Sequence, residues 1–315
     1  MKILVVTRVW SFIDDTIDVW EARGDIVIKA PYYNPELAKN VDIIFFEFID
    51  PEMEKASNCP IGSKKKIIGR LHRIEYYMGM IGRLKINWDN VDKLIITGKY
   101  FYDLIINGPE MGKIKDKSKV VHIPYGVNEK KFTFKDRGLI EHKEGDTITV
   151  GWLAKNYDAR KNPIKALSCF YAILNAAPQY NWQFVMAAHG GDRGIPEYKE
   201  YLFKNYPELA KRVIMHRGQS DVNAYMESFD YFLNTSINES FCYVIAEACL
   251  KGIKPLIYNF ESCDQLWPKD WTFFCDNEML DIMEAPYESA KYRQYVLGNY
   301  SLDAVVKNFD EVFND

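Results

Sequence analysis

The stretch Asn234-Thr-Ser-Ile-Asn-Glu239-Ser-Phe-Cys242-Tyr-Val-Ile-Ala-Glu247-Ala-Cys-Leu-Lys-Gly252 decides how this chain folds. A strand-like apolar run, Tyr231-Phe-Leu233, precedes it, and a second, Pro255-Leu-Ile-Tyr258, follows it. Between them Phe241, Val244, Ile245, Ala248 and Cys249 recur at three- and four-residue spacing, the period of an amphipathic helix. Gly252 stands where a left-handed C-terminal cap would stop that helix. The unit is strand, polar loop, helix, strand. Ligands of such units settle beyond the carboxyl end of the strand, against the helix N-terminus. Glu239 falls in that loop, and Glu247 two turns inside the helix.

The alternation continues in both directions. Thr147–Leu153 reads as a strand running into the polar turn Ala154–Pro163 and a helix, Ile164 to Ala176. Trp182–Ala188 is a strand ending in His189-Gly-Gly-Asp-Arg-Gly194, and Arg212–Gly218 is another strand leading to a loop. Earlier strands are expected at Lys2–Thr7, Asp25–Ile28, Asp42–Phe48, Lys66–Gly69, Lys93–Thr97 and Lys119–Ile123. Continuous apolar runs such as Ile43-Ile-Phe-Phe46 suit parallel strands buried on both faces. No Gly-x-Gly-x-x-Gly follows any strand, so a dinucleotide fingerprint is absent. The fold class is α/β.

Composition bounds the rest. A chain of 315 residues accommodates two α/β domains, and 48% hydrophobic with 27% charged residues is ordinary for a globular protein. The formal charge of −4 gives no reason to expect a nucleic-acid partner. No apolar run is long enough to span a bilayer, and Met1-Lys-Ile-Leu-Val-Val-Thr7 reads as a first strand rather than a signal peptide. Cys59, Cys169, Cys242, Cys249, Cys263 and Cys275 are scattered with no Cys-x-x-Cys, which suggests reduced thiols in the cytoplasm and argues against a zinc site.

The Glu239 and Glu247 pair, with its flanking strands and the Pro255-Leu-Ile run, resembles the donor site of retaining GT-B-fold glycosyltransferases of family 4, the glycogen synthase-like group. Val121-His-Ile-Pro-Tyr-Gly-Val-Asn-Glu-Lys-Lys-Phe132 resembles that family's junction between its two domains. The resemblance covers roughly residues 118 to 265. It implies two Rossmann-like, doubly wound domains facing across a cleft: an acceptor-side domain at 1–135, a nucleotide-sugar donor domain at 136–290, and a C-terminal segment 291–315, with Ser301 as helix N-cap, crossing back to the first.

The resemblance also assigns roles. Glu239 would contact hydroxyls of the transferred sugar and Glu247 the ribose of the nucleotide, since ionised acceptors make the stronger hydrogen bonds. The backbone amides of Ser240, Phe241 and Cys242 would face the diphosphate, although the family usually has Gly where Cys242 stands. A basic pair neutralises the leaving diphosphate in the family, because charge develops there as the glycosidic bond breaks. Arg160 and Lys161 are the candidates, with Lys155 a third because the family's Gly-Arg pairing reads Gly151-Trp152 here. Gly190 would flank the donor cleft, and Met215 to Arg217 would neighbour the base. His72, in Arg70-Leu-His-Arg-Ile-Glu75 at the end of a strand, would line the reacting centre, while Glu75 and Arg73 would pair with each other or with neighbouring helices. The family's glycine-rich loop after the first strand is replaced by Arg8-Val-Trp-Ser-Phe-Ile-Asp14.

The resemblance therefore implies a metal-independent transferase with no cofactor, moving a hexose from a nucleotide sugar, UDP or GDP favoured, to an acceptor hydroxyl. A nucleotide-sugar epimerase of the same fold and a catalytically silent nucleotide-sugar-binding module remain the alternatives. Between Lys55 and Lys99, ten Lys or Arg stand against three acids, with Tyr76, Tyr77, Trp88, Met78 and Met80 interleaved. The plain reading is a solvated face. Peripheral contact with an anionic membrane, or with an anionic saccharide, is the functional one.

Overall fold

The computed structural model describes residues 1–191 and 194–315. The chain divides into two compact units, Met1–Asn128 joined by Tyr300–Asp315, and Glu129–Asn299.

The first unit is built on six strands, β1 (Lys2–Val6), β2 (Ile26–Ala30), β3 (Ile43–Phe46), β4 (Lys66–Leu71), β5 (Lys93–Ile96) and β6 (Val120–His122), all parallel in the order β2-β1-β3-β4-β5-β6. Alternate residues serve opposite faces. Leu4, Ile44, Phe46, Ile67 and Leu94 pack with Met53, Phe101 and Ile105 on one side. Ile3, Val5, Ile43, Phe45, Ile68 and Ile95 pack with Ile17, Trp20 and the last helix, Leu302–Asn314, on the other. Phe309 of that helix meets Phe45 and Trp20 at ring-centroid distances of 5.7 and 5.6 Å. Each such aromatic burial contributes roughly 1.5–3 kcal/mol. Lys66 and Lys93 hold the helix's C-terminal end, where cations suit its dipole: Lys66 Nζ donates to the Phe313 carbonyl at 3.0 Å, and Lys93 Nζ meets Asp315 at 2.5 Å. Val127 and Ser301 form a parallel bridge that ties the helix's entry to the strand-like exit after β6.

The second unit has a second six-stranded parallel sheet: β7 (Thr147–Leu153), β9 (Asn181–Ala188), β11 (Val213–Arg217), β12 (Tyr231–Asn234), β13 (Lys254–Tyr258) and β14 (Thr272–Phe273), in the order β11-β9-β7-β12-β13-β14. A separate pair of two-residue strands, β8 (Asn156–Tyr157) and β10 (Gly190–Gly191), joins the loops after β7 and β9. Gly151 is required by a close approach: a Cβ there would lie 2.1 Å from the Phe229 ring.

Two sequence expectations shift. Helix Tyr243–Leu250 starts later than its periodicity suggests, so Phe241 precedes it, buried and stacked on Trp267 at 5.6 Å. Strand β4 runs on to Leu71, which delivers His72 directly from the sheet edge. Gly252 does cap the helix in the left-handed region, with φ 76°, Gly252 N–H to the Cys249 carbonyl at 2.9 Å and Ile253 N–H to the Ala248 carbonyl at 3.0 Å. That bonding pattern is a Schellman cap.

Each sheet reverses its winding once. The chain goes from β7 outward to β9 and β11, then returns beside β7 as β12, and in the first unit the same reversal falls between β1 and β3. The crevice outside the carboxyl ends of such strands is where α/β sheets bind ligands.

Candidate functional site

In the second unit the loops after β7 and β12 meet at this reversal. Glu239, 8% exposed, lies in the loop after β12. Its Oε1 accepts from Arg160 Nη1 at 2.8 Å and also from Lys161 Nζ, both from the loop after β7. Arg160 Nη1 further donates to the Asn238 carbonyl at 3.2 Å, and Ile237 N–H donates to the Arg160 carbonyl at 2.9 Å. Burial by itself pushes the Glu239 carboxyl up. The charges of Lys161 and Arg160, with hydrogen bonds from Lys161 and Ser236, outweigh it and hold the group below the usual carboxylate range. Glu239 is thus an ionised acceptor at neutral pH.

The turn that carries the two cations is fixed from below. Asn162 adopts φ 50° as the N-cap of helix Pro163–Ala176. Thr235 Oγ1 reaches the Lys161 carbonyl at 3.0 Å and the Asn162 carbonyl at 2.9 Å, and accepts from the Trp152 indole N–H at 3.1 Å. Trp152 is buried and stacked on Tyr157 at 5.4 Å. The residue that replaces the expected arginine therefore props the basic turn instead of offering a cation itself.

Helix Tyr243–Leu250 begins from Cys242, whose φ of 72° lies in the left-handed region that favours glycine. Holding a non-glycine residue there costs on the order of 1–3 kcal/mol. The thiol accepts from Asn234 Nδ2 at 3.2 Å, and burial pushes it up to about 12, so it stays protonated. Glu247 is the fifth residue of the helix and half-buried, as is Ser240 in the loop before it. Lys155, Gly190 and Arg217 are exposed, around the loops after β7, β9 and β11. Of the residues singled out in this unit, the structure gathers Glu239, Arg160 and Lys161 into direct contact.

In the first unit His72 closes the end of β4 as N-cap of helix Arg73–Tyr77. It is 4% exposed, stacked on Phe48 at 4.5 Å. Its Nε2 lies 2.8 Å from the Glu47 carbonyl oxygen and 3.0 Å from Glu47 Oε1, and its Nδ1 lies 2.5 Å from the Tyr125 hydroxyl. A carbonyl only accepts, so Nε2 carries the proton and Nδ1 accepts from Tyr125. Burial lowers the imidazole pKa against the opposing pull of Glu47, which keeps the ring neutral. Glu47, 0% exposed, also takes Arg70 Nη1 at 3.0 Å. Glu75 does not pair with Arg73. Its carboxyl turns inward to accept from the backbone N–H groups of Ile49 at 3.1 Å and His72 at 3.2 Å, and burial pushes it up to about 8.

Glu47, Tyr125, Thr235 and Ser236 were not singled out from the sequence. Only Glu47 leaves a trace there, as an acid that abruptly ends the apolar run Ile43–Phe46.

The basic stretch is thinner in space than in sequence. Lys65 donates to the Val41 carbonyl at 2.8 Å, Lys55 pairs with Glu52 at 2.6 Å, Lys99 pairs with Asp103, and Lys66, Arg70 and Lys93 are held as described above. Lys64, Arg83 and Lys85 are exposed; Arg83 donates to the Met78 carbonyl at 3.2 Å, and Arg73 sits over the exposed Tyr77 ring at 5.6 Å. Among the described residues, no helix is long and apolar enough to cross a membrane, and no three His, Cys, Asp or Glu cluster so as to hold a metal ion.

No family model matches the chain, and no curated protein matches it in sequence. Solved structures do match it in fold. HepE from Anabaena, crystallised with UDP and glucose, aligns at TM-score 0.70 and 12% identity over 100% of this chain and 99% of its own. The fold is GT-B. Sucrose-phosphate synthase from Thermosynechococcus elongatus aligns at TM-score 0.68 and 12% identity over 100% of this chain and 98% of its own. A glycosyltransferase from Rickettsia africae aligns at 0.65 and 13% over 99% and 97%. At such identities the likeness fixes the GT-B architecture of two Rossmann-like units, and the chemistry has to be argued from the side chains.

Proposed function

We propose that this chain is a retaining glycosyltransferase that moves a hexose from a nucleotide sugar to an acceptor hydroxyl. The observation that carries the reading is the sharing of Glu239 Oε1 between Arg160 and Lys161 at the reversal of the second sheet. A diphosphate arriving there competes for the two cations. They neutralise the charge that develops on the leaving group, and Glu239, freed from them, accepts from sugar hydroxyls. The backbone amides of Ser240, Phe241 and Cys242 add positive potential from the start of the helix, Lys155 a third cation, and Glu247 grips the ribose. Gly190 flanks the donor cleft, and Arg217 neighbours the base. His72 is a neutral ring at the end of β4, with both nitrogens engaged inside the first unit by Glu47 and Tyr125. The reaction needs no metal in this scheme, because the fixed cations do that work. HepE, whose structures hold UDP, UDP with glucose, and UDP-glucose, supports UDP as the first nucleotide to try.

We place the protein in the cytoplasm, in keeping with six unpaired cysteines, four of them buried. The exposed Ile74, Tyr77 and Met78, with Arg83 bonded to the Met78 carbonyl and Arg73 over Tyr77, suit shallow peripheral contact with an anionic membrane, and binding to anionic vesicles tests it.

The deciding experiment is thermal-shift titration with UDP, GDP, ADP and dTDP sugars, with Glu247→Ala as control, followed by assay of slow donor hydrolysis. Stabilisation lost in the variant, with hydrolysis, supports a transferase. Stabilisation without turnover points to a silent binder, and conversion of the sugar while still attached to its nucleotide points to an epimerase. No shift with any nucleotide overturns the reading.

A further inference from the structure

Helix Pro163–Ala176 of the second unit leads away from the turn that bears Arg160 and Lys161. Together with helices Gly194–Asn205 and Pro207–Arg212 it encloses a pocket of about 220 Å³ that the donor chemistry does not use. Its aliphatic walls are Ile164, Leu167, Leu202 and Leu209, of which Leu167 and Leu209 belong to the buried core. The polar atoms of its lining side chains are four hydroxyls, those of Ser168, Tyr171, Tyr198 and Tyr206. Tyr171 and Tyr206 meet edge to face at 5.1 Å, and Tyr198 stacks on Tyr201 at 6.0 Å. Each of these four tyrosines keeps between 37% and 60% of its surface exposed. Large aromatic groups left in water around a concave, apolar site mark a place that something covers.

We propose that this pocket is a second ligand site, separate from the donor site, for a small uncharged molecule that buries one aromatic ring. Size sets the first limit. An apolar cavity of about 150 Å³ accepts a benzene ring, so a pocket of about 220 Å³ holds one ring with a substituent. Charge sets the second. None of the lining side chains is a carboxylate, ammonium, guanidinium or imidazole, so a buried charge would find no partner there. Hydrogen-bond capacity selects against a sugar. A pyranose carries a hydroxyl on nearly every ring carbon, and those turned toward Leu167, Leu202 and Leu209 would be left unpaired. An aromatic ring loses nothing against these leucines. It also continues the edge-to-face packing of Tyr171 and Tyr206, which an alkyl chain of the same volume does not. One polar substituent at the mouth can bond a tyrosine hydroxyl. A phenol or an indole has that form.

The test is titration of the full chain, followed by ligand-observed NMR, with indole, p-cresol, hexanol, benzoate, benzylammonium and methyl glucoside. It is repeated with Ser168→Phe, which fills the pocket, and with Tyr198→Ala, which removes one wall. Both positions are exposed, neither belongs to the donor site, and a cooperative melt shows that each variant folds. Saturable binding of indole and p-cresol is expected, about tenfold or more tighter than that of the other four probes. Each variant should weaken it about tenfold or more. Equal or tighter binding of any other probe, binding unmoved in the folded variants, or no saturable binding of either ring compound overturns the inference. Displacement of indole by UDP overturns it too, because the ring would then sit in the donor site. If one variant does not fold, the ranking of the probes and the other variant decide the matter.

Discussion

Glu239 and Glu47 occupy comparable places in the two units, each just beyond a strand that adjoins the reversal of its sheet, and each lends one carboxylate oxygen to two partners. The partners differ. Arg160 and Lys161 keep 32% and 12% of their side chains exposed, while Arg70 and His72 keep 2% and 5%. One carboxylate holds cations that, on the proposed reading, pass to a ligand. The other is committed to its own unit, where it balances a buried guanidinium and orients a neutral imidazole. On the proposed reading the same residue type serves binding in one unit and architecture in the other, and access of its partners to solvent decides which.

Replacing each acid separates the two roles. Glu47→Ala leaves the Arg70 charge buried without its partner, and breaking such a pair costs about 3–5 kcal/mol, measurable by urea denaturation. A loss under about 1 kcal/mol would show that the comparison misjudges the first unit. Glu239→Ala should cost less in denaturation than Glu47→Ala, because Arg160 keeps 32% of its side chain exposed whereas Arg70 keeps 2%. Its effect belongs in turnover, with donor hydrolysis falling on the order of a hundredfold. Equal losses of stability in the two variants would erase the distinction.

A subtler contrast is acid–base. Glu239 is held below the usual carboxylate range, whereas Glu75 in the first unit is pushed up to about 8 by burial. A raised folded-state value means that the folded protein holds a proton the unfolded chain has already released. Stability from Glu75 is then fully present below its ordinary value and is lost as pH rises through about 8. Melting temperature should decline between mildly acidic pH and about pH 8, and Glu75→Gln should flatten that decline. A profile unchanged by the substitution would mean that the carboxyl is ionised throughout, held so by the N–H groups of Ile49 and His72.

The α/β class was legible because buried parallel strands write themselves as unbroken apolar runs, Ile43–Phe46 and Thr147–Leu153 among them. Glu239, Arg160 and Lys161 stood out through the resemblance, because they fall in the loops where that family keeps its donor-site carboxylate and basic pair. Their mutual contact was not legible, since it depends on β7 and β12 lying side by side across 78 intervening residue steps between Lys161 and Glu239. The Glu47, His72 and Tyr125 arrangement was hidden for the same reason, with three strand ends converging from distant sequence. Trp152 was misleading as a gap in a basic pair, because its indole acts through Thr235 on the turn that bears the cations.

The last helix makes the first unit discontinuous in the chain. Leu302, Val305, Phe309 and Phe313 complete one face of a core whose strands all precede Asn128. On a ribosome adding about 5–20 residues per second, the first-made sheet waits on the order of ten seconds or more for that covering, while the whole second unit is synthesised. During that interval Trp20 and Phe45 lack their cover, and the part of the protein made first is the part that finishes folding last.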